Sequence, residues 1–177
     1  MLPLVSSALV VVACLLAIPV IVFVFEVIGG VLFPARELDL PYGYPRQRVG
    51  VLVPAHNESA GLGLTLQSIK AQLGPDDRLI VVADNCVDDT ASVASAAGAE
   101  VIIRNDPARD GKGYALDFGI KHLEVDPPPI VIVIDADCKA EDGAIDALAS
   151  ACEARHRPAQ AINLMIAPDE SPIKYHV

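Results

Sequence analysis

Two aspartates one residue apart, Asp135 and Asp137, follow directly on five apolar and mostly β-branched residues, Ile130 to Ile134. Paired carboxylates repel each other unless a cation lies between them. Oxygen-only donors suit a hard ion such as Mg2+ or Mn2+, and Mg2+ is usually held by one or two carboxylates together with substrate phosphates. The chemistry on offer is a metal–diphosphate site. This spacing alone is a loose signal. The same pair serves equally as solvated loop aspartates, or as one helix cap and a bystander.

Three more polar clusters accompany it: Pro54-Ala55-His56-Asn57-Glu58, Asp84-Asn85, and Asp110-Gly111-Lys112-Gly113. Taken singly each has an ordinary reading. Glu58 suits a helix start, Asp84 a turn, and Lys112 a solvated charge beside a glycine turn. Their positions carry the weight. Each falls at the end of a predicted strand or in the loop after it, and in an open α/β sheet those loops share the rim where ligands bind.

The elements that must position them follow from periodicity. Ile130–Cys138, bounded by Pro127–Pro129, opens as a strand buried on both faces. Val49–Val53 is a short strand ending at Pro54. Ser59 opens a helix with Leu62, Leu66, Ile69 and Leu73 on one face, stopped by Gly74-Pro75. Leu79–Ala83 is the second strand, and Asp88 or Asp89 caps an alanine-rich helix that finishes at Gly98. Val101–Ile103 is a third strand. Gly113–Glu124 reads as a helix with Leu116, Ile120 and Leu123 inward. Ala144–Arg155 is a helix built on Ile145, Leu148 and Cys152, and Ala161–Ile166 a last strand. This alternation predicts an α/β fold: an open, mostly parallel sheet, Rossmann-like, with helices on both faces.

The N-terminus is different. Leu4–Phe25 is apolar except for Ser6 and Ser7, long enough for a helix to span a bilayer, and Pro19 is tolerated there. Glu26, the first charge, is placed near an interface, since a carboxylate at mid-bilayer costs about 3 kcal/mol. A cleaved signal peptide fits less well: no basic segment precedes the run, the run is long, and no small-x-small site follows. Arg36, Arg46 and Arg48 follow the span and no basic residue precedes it, which predicts a cytoplasmic C-terminal domain. The expected organisation is an anchor over 1–33, a linker over 34–48 punctuated by Pro41, Gly43 and Pro45, and a domain over 49–177.

The formal net charge of −10 argues against nucleic acid as a partner. It leaves anionic ligands open, because a cation and a local lysine reverse the sign within one pocket. Cys14, Cys86, Cys138 and Cys152 form no C-x-x-C pair, so neither a disulfide framework nor a zinc site is predicted.

In this order after one membrane span, PAHNE, ADNCVDDT, DGKGYALDFG and DAD resemble the nucleotide-sugar half of family 2 glycosyltransferases, which have the GT-A fold. The resemblance runs from about Val49 to Ile166. It implies that Pro54, Asn57 and Glu58 close over the nucleotide, that Asp84 reads the base, and that Gly111 and Lys112 lie near the diphosphate. It implies further that Asp135 and Asp137 hold the ribose and a divalent metal, with Asp137 favoured over Asp135 as the direct ligand. A nucleotide-sugar donor, UDP-linked, and Mg2+ or Mn2+ are the implied substrate and cofactor. Cell-surface polysaccharide or glycolipid synthesis is the implied setting. The residue types agree, since uracil offers an N–H that a carboxylate accepts, and a departing diphosphate gathers charge that a cation and a lysine neutralise.

The resemblance implies an acceptor side after the DxD strand, with an ED carboxylate base and a Q/R-x-x-R-W segment. Val177 ends the sequence 40 residues after Asp137, and neither feature is found. Glu141-Asp142 reads as the start of the next helix, and Asp169 and Glu170 sit in a proline-flanked tail. The expectation is a chain that binds a metal–nucleotide sugar and transfers poorly alone, needing a partner subunit or a C-terminal half; a nucleotide-sugar-binding subunit without turnover is the alternative. Other nucleotide folds fit worse. Gly61-x-Gly63 lacks the third glycine of a dinucleotide fingerprint, Asp110-Gly111-Lys112-Gly113 lacks the P-loop hydroxyl, and no glycine-rich, arginine-containing loop of a nucleotidyltransferase follows the first strand.

Overall fold

The computed structural model of the chain describes residues 2–33 and 46–164. Two compact units are present, Met1–Asp39 and Leu40–Val177. The first contains helix α1, Leu2–Leu32, with Pro19 inside it. Leu9–Leu32 is long and apolar enough to cross a membrane by length and composition. Over Leu9–Leu32 the exposed side chains are apolar on all sides apart from Glu26, as in a bilayer-spanning segment.

The second unit is α/β. Its strands are β1 (Val49–Ala55), β2 (Arg78–Asp84), β3 (Glu100–Arg104) and β4 (Ile130–Val133). Its helices are α2 (Leu62–Lys70), α3 (Thr90–Ala96), α4 (Lys112–Leu123) and α5 (Ala144–Arg155). The strands pair in the order β3-β2-β1-β4, all parallel. Alternation along the strands divides the core. Val49, Val51, Val53, Leu79 and Val81 pack with α2, α3 and α5 on one face, where Leu62, Leu66, Ile69, Ala94, Ile145 and Ala149 are buried. Leu52, Ile80 and Val82 pack under Ala115 and Leu123 of α4 on the other. Each fully buried branched side chain contributes about 1.5–3 kcal/mol, and this double covering fixes the sheet.

Several sequence expectations change in detail. Pro54 lies inside β1, opposite Val82. Leu52 points its carbonyl toward Ile134, so Pro54, two residues on, turns its missing N–H to the side where β4 has ended. The α2 helix begins at Leu62, after a turn in which Gly61 and Leu62 donate to the Glu58 carbonyl, so Ser59 does not open it. In α4 the buried positions are Ala115, Gly119 and Leu123, Leu116 packs against them as expected, and Ile120 is 40% exposed. Gly119 causes this shift: a Cβ there would meet Leu52 Cδ1 at 2.5 Å, so the bare backbone faces the sheet. Only one face of β4 is covered: Ile130 and Ile132 are buried, whereas Val131 and Val133 are 38% and 46% exposed. Helix α4 packs over β1 and β2 and does not cover β4, so the face carrying Val131 and Val133 stays open among the described residues. Residues 161–164 form no strand and leave Ile162 and Leu164 exposed; 165–166, with Asp169 and Glu170, lie outside the described residues, as do linker residues 34–45.

The opposite ends of the strands are pinned by charge. Arg46 donates to both oxygens of Asp77, at 2.9 and 2.7 Å, and also pairs with Asp146. Asp77 accepts the backbone N–H of Val49 and Gly74 as well. Arg48 grips Asp126 with two bonds, at 2.8 and 2.9 Å, just before β4.

Candidate active site

The loop leaving β1 is stitched to the loop leaving β2. His56 Nδ1 bonds the Asp84 carbonyl at 2.7 Å. Val87 N donates to Asn57 Oδ1 at 2.8 Å, Glu58 N to Thr90 Oγ1 at 2.8 Å, and Ser59 N to Asp88 Oδ2 at 3.1 Å. Asn57 and Asn85 both have left-handed backbones, φ 55° and 50°, which asparagine tolerates better than most residues. Asp88 also accepts from Thr90 N and Oγ1, opening α3. These bonds, led by the Thr90 hydroxyl, hold its carboxyl well below the usual carboxylate range. The side-chain oxygen of Asn57 thus fastens two loops together.

Asp84 closes β2 and is 4% exposed. Arg104 at the end of β3 donates to Asp84 Oδ1 at 2.5 Å and to the Arg109 carbonyl at 2.7 Å. The same guanidinium lies 5.5 Å from the ring centre of Tyr114 in the first turn of α4. Two residues before Tyr114, Lys112 pairs with Asp135, just past β4. Gly111, which introduces this helix, has φ 119° and open space where a Cβ would stand. Only glycine takes that conformation without strain.

Asp135, Ala136, Asp137 and Cys138 form a turn closed by Cys138 N donating to the Asp135 carbonyl at 3.1 Å. Ligand atoms of Asp135, Asp137 and Cys138 all lie within 4.8 Å of one another. The donor set fits a hard divalent cation. Two carboxylates supply oxygen, and burial, then Asp137 and Asp135, push the Cys138 thiol up in the metal-free site. The turn is anchored from beneath. Thr65 Oγ1 donates to the Ala136 carbonyl at 2.8 Å, and Ala140 N donates to Ser68 Oγ at 3.1 Å.

The predicted residues therefore meet at one rim. Arg104 links Asp84 to Tyr114 in the first turn of α4, Lys112 in the same turn pairs with Asp135, Asp137 lies beside Asp135, and Asn57 and Glu58 lie in the loop tied to that of Asp84. Pro54 is half-buried in β1, below that loop. Glu141 and Asp142 precede α5, with the Glu141 carbonyl accepting from Ala144 N. Sequence reading missed Arg104 and Thr65. Thr65 left a trace, being a hydroxyl beside Leu66 on the buried side of α2; Arg104 left none. A groove of about 530 Å3 runs along β4 and α5 and reaches Lys112, Asp135 and Cys138 at one end.

The family model for glycosyl transferase family 2 matches residues 50–169. An uncharacterized glycosyltransferase of Mycobacterium tuberculosis is 38% identical over 95 residues, which is 54% of this chain and 39% of that protein. Glucosyl-3-phosphoglycerate synthase of the same species is 37% identical over 95 residues, 50% of this chain and 28% of the relative. A probable glycosyltransferase of Bacillus subtilis is 34% identical over 106 residues, 55% and 24% of the two chains. The chain thus spans between 24% and 39% of the length of these relatives. A crystal structure of the Mycobacterium tuberculosis synthase in complex with Mn2+, UDP and glucosyl-3-phosphoglycerate is similar with a TM-score of 0.44 and 35% identity, covering 51% of this chain and 33% of that one.

Proposed function

The chain belongs to glycosyl transferase family 2, and from that premise we propose that it transfers a sugar from a UDP-sugar to an acceptor hydroxyl, with Mg2+ or Mn2+ held by Asp137 and Asp135. The observation that supports this most is that the first turn of α4 carries both Tyr114, under the Arg104 that grips Asp84, and Lys112, paired with Asp135. It gives one rim a buried acceptor for a base N–H, a cation for phosphate and two carboxylates for a metal.

In this reading Asp84 takes the uracil N–H through Oδ2, because Arg104 engages Oδ1. Arg104 holds that buried carboxylate in a fixed orientation. Lys112, 53% exposed, turns from Asp135 to the diphosphate. Gly111 lets the backbone come close to it. The bound cation supplies Lewis-acid neutralisation of the leaving diphosphate. Asn57 fixes the PAHNE loop beside the nucleotide, with Pro54 below it and Glu58 at its far end.

Helix α1 serves as a membrane anchor, with the catalytic domain on the cytoplasmic side. Its support is the apolar stretch Leu9–Leu32 and the arginines that follow it. An anchored transferase suits an acceptor held at the membrane, such as a lipid or a growing surface polysaccharide.

The test is a thermal-shift screen of the purified chain with UDP, GDP and ADP, with and without Mn2+, followed by UDP-glucose turnover. Stabilisation by UDP that deepens with Mn2+ is expected. No nucleotide-dependent shift at any concentration would reject the reading. Binding with no turnover would make the chain a nucleotide-sugar-binding subunit.

A further inference from the structure

We infer that Thr65 is a positioning residue for the metal site, setting the Asp135–Asp137 turn from the opposite side through the Ala136 carbonyl. This inference rests on the metal assignment proposed above.

Three side chains on one side of α2 and its exit reach the segment that carries the aspartates. Thr65 Oγ1 donates to Ala136 O at 2.8 Å, Ala140 N donates to Ser68 Oγ at 3.1 Å, and Ile145 N donates to Gln72 Oε1 at 3.4 Å. The three are braced among themselves. Ser68 Oγ donates to the Thr65 carbonyl at 2.8 Å, and Gln72 Nε2 to the Ser68 carbonyl at 2.9 Å. Meanwhile Leu62, Leu66 and Ile69 are fully buried and fix α2 to the sheet. The stripe therefore has a rigid base.

Thr65 bears on the chemistry because of which carbonyl it holds. In the turn from Asp135 to Cys138, the peptide joining Ala136 to Asp137 is the central one. The common turn types differ chiefly in which way that peptide faces. A flip would drive Asp137 toward positive φ, which aspartate reaches at modest cost. Asp137 has no positive φ here. The Thr65 hydroxyl, in a side chain only 4% exposed, secures the unflipped form and with it the approach of the two carboxylates. The Thr65 hydroxyl bonds the turn's backbone and not an aspartate carboxylate, so it acts through geometry.

The experiment compares Thr65→Val, which keeps shape and removes the hydroxyl, with Thr65→Ser, which keeps the hydroxyl and loses the methyl. Mn2+ affinity is measured by calorimetry on the full chain in detergent at saturating UDP, and UDP affinity is measured without metal. Groups that orient metal ligands usually change affinity by about 10–100-fold. Thr65→Val is expected to weaken Mn2+ binding at least tenfold with metal-free UDP affinity unchanged, and Thr65→Ser to stay within about twofold of the parent. Unchanged Mn2+ affinity in Thr65→Val overturns the inference. So does an equal loss in both variants, or a parallel loss of UDP affinity, since either marks packing rather than orientation. A parent chain that binds no Mn2+ at saturating UDP instead removes the metal assignment itself, and this inference with it.

Discussion

The ammonium of Lys112, in the first turn of α4, rests on the carboxylate of Asp135 beyond the end of β4. One of the two carboxylates proposed to hold the cation is therefore already engaged by a positive charge. Lys112→Met should have effects of opposite sign. Mn2+ binding without nucleotide should tighten, while UDP affinity should fall about tenfold through loss of a charged hydrogen bond. Because both side chains are about half exposed, 53% and 47%, stability should change by less than about 1 kcal/mol. Titrations of Mn2+ alone and of UDP alone read the two effects, and weakening of both would remove Lys112 from this role.

Asp137→Asn should abolish the Mn2+-dependent part of the UDP thermal shift and preserve the metal-free part. Ligand stabilisation grows with ligand concentration over Kd, so the two contributions separate in a concentration series. The side chain is exposed and the exchange nearly isosteric, so the unliganded melting temperature serves as the folding control.

Arg104→Met leaves Asp84 buried beside an apolar chain. Breaking a buried pair from one side costs about 3–5 kcal/mol. Urea unfolding should show that loss, and the paired change Arg104→Met with Asp84→Asn should recover part of it. No recovery in the double variant would mean that the guanidinium contributes chiefly through the Arg109 carbonyl and Tyr114.

Gly119→Ala tests the close approach of α4 to the sheet. The added carbon would lie 2.5 Å from Leu52 Cδ1 and 3.0 Å from Val82 Cγ2. Overpacking of this kind costs about 1–3 kcal/mol. Gly113→Ala, which meets nothing within 4 Å, is the control on the same helix and should stay within about 0.5 kcal/mol of the parent in urea melts.

Burial pushes the Asp77 carboxyl up, but the Arg46 guanidinium and the backbone N–H groups of Val49 and Gly74 together outweigh it and hold the carboxyl below its ordinary value. A group depressed in the folded state contributes stability that is fully present above its unfolded value, about 3.9, and is lost as pH falls through the lower folded value. Thermal melts from pH 6 to 2 should therefore show an acid-side loss that Asp77→Asn reduces. Asp77→Asn should also be less stable than the parent at pH 7. Identical acid slopes in the two proteins would assign the loss to other carboxylates.

Much of this arrangement is legible in the linear sequence because local pattern and tertiary placement agree. Valine-rich runs became strands, Gly98 and Gly111 fell where positive φ is needed, and each polar cluster fell at a strand's end or in the loop after it. Where the reading slipped, a long-range contact overruled local pattern. The inward face of α4 is set by Gly119 against Leu52, which no count of apolar residues reveals. Pro54 stays in β1 only because β4 stops short beside it. Arg104 and Thr65 matter through partners 20 and 71 residues away, so their importance is a property of the folded chain.

The outer flank of β4 has a bearing on solubility. Among the described residues no strand pairs with that flank; an unpaired row of amides invites stacking of one molecule on another, and exposed valines at 131 and 133 would encourage it. This strand is four residues long. Three successive prolines precede it, and Asp135 and Asp137 follow within four residues of its end. The acids assigned here to a metal thus double as gatekeepers against fibrillar growth, and neutralising both at once would trade lost chemistry for a stickier protein.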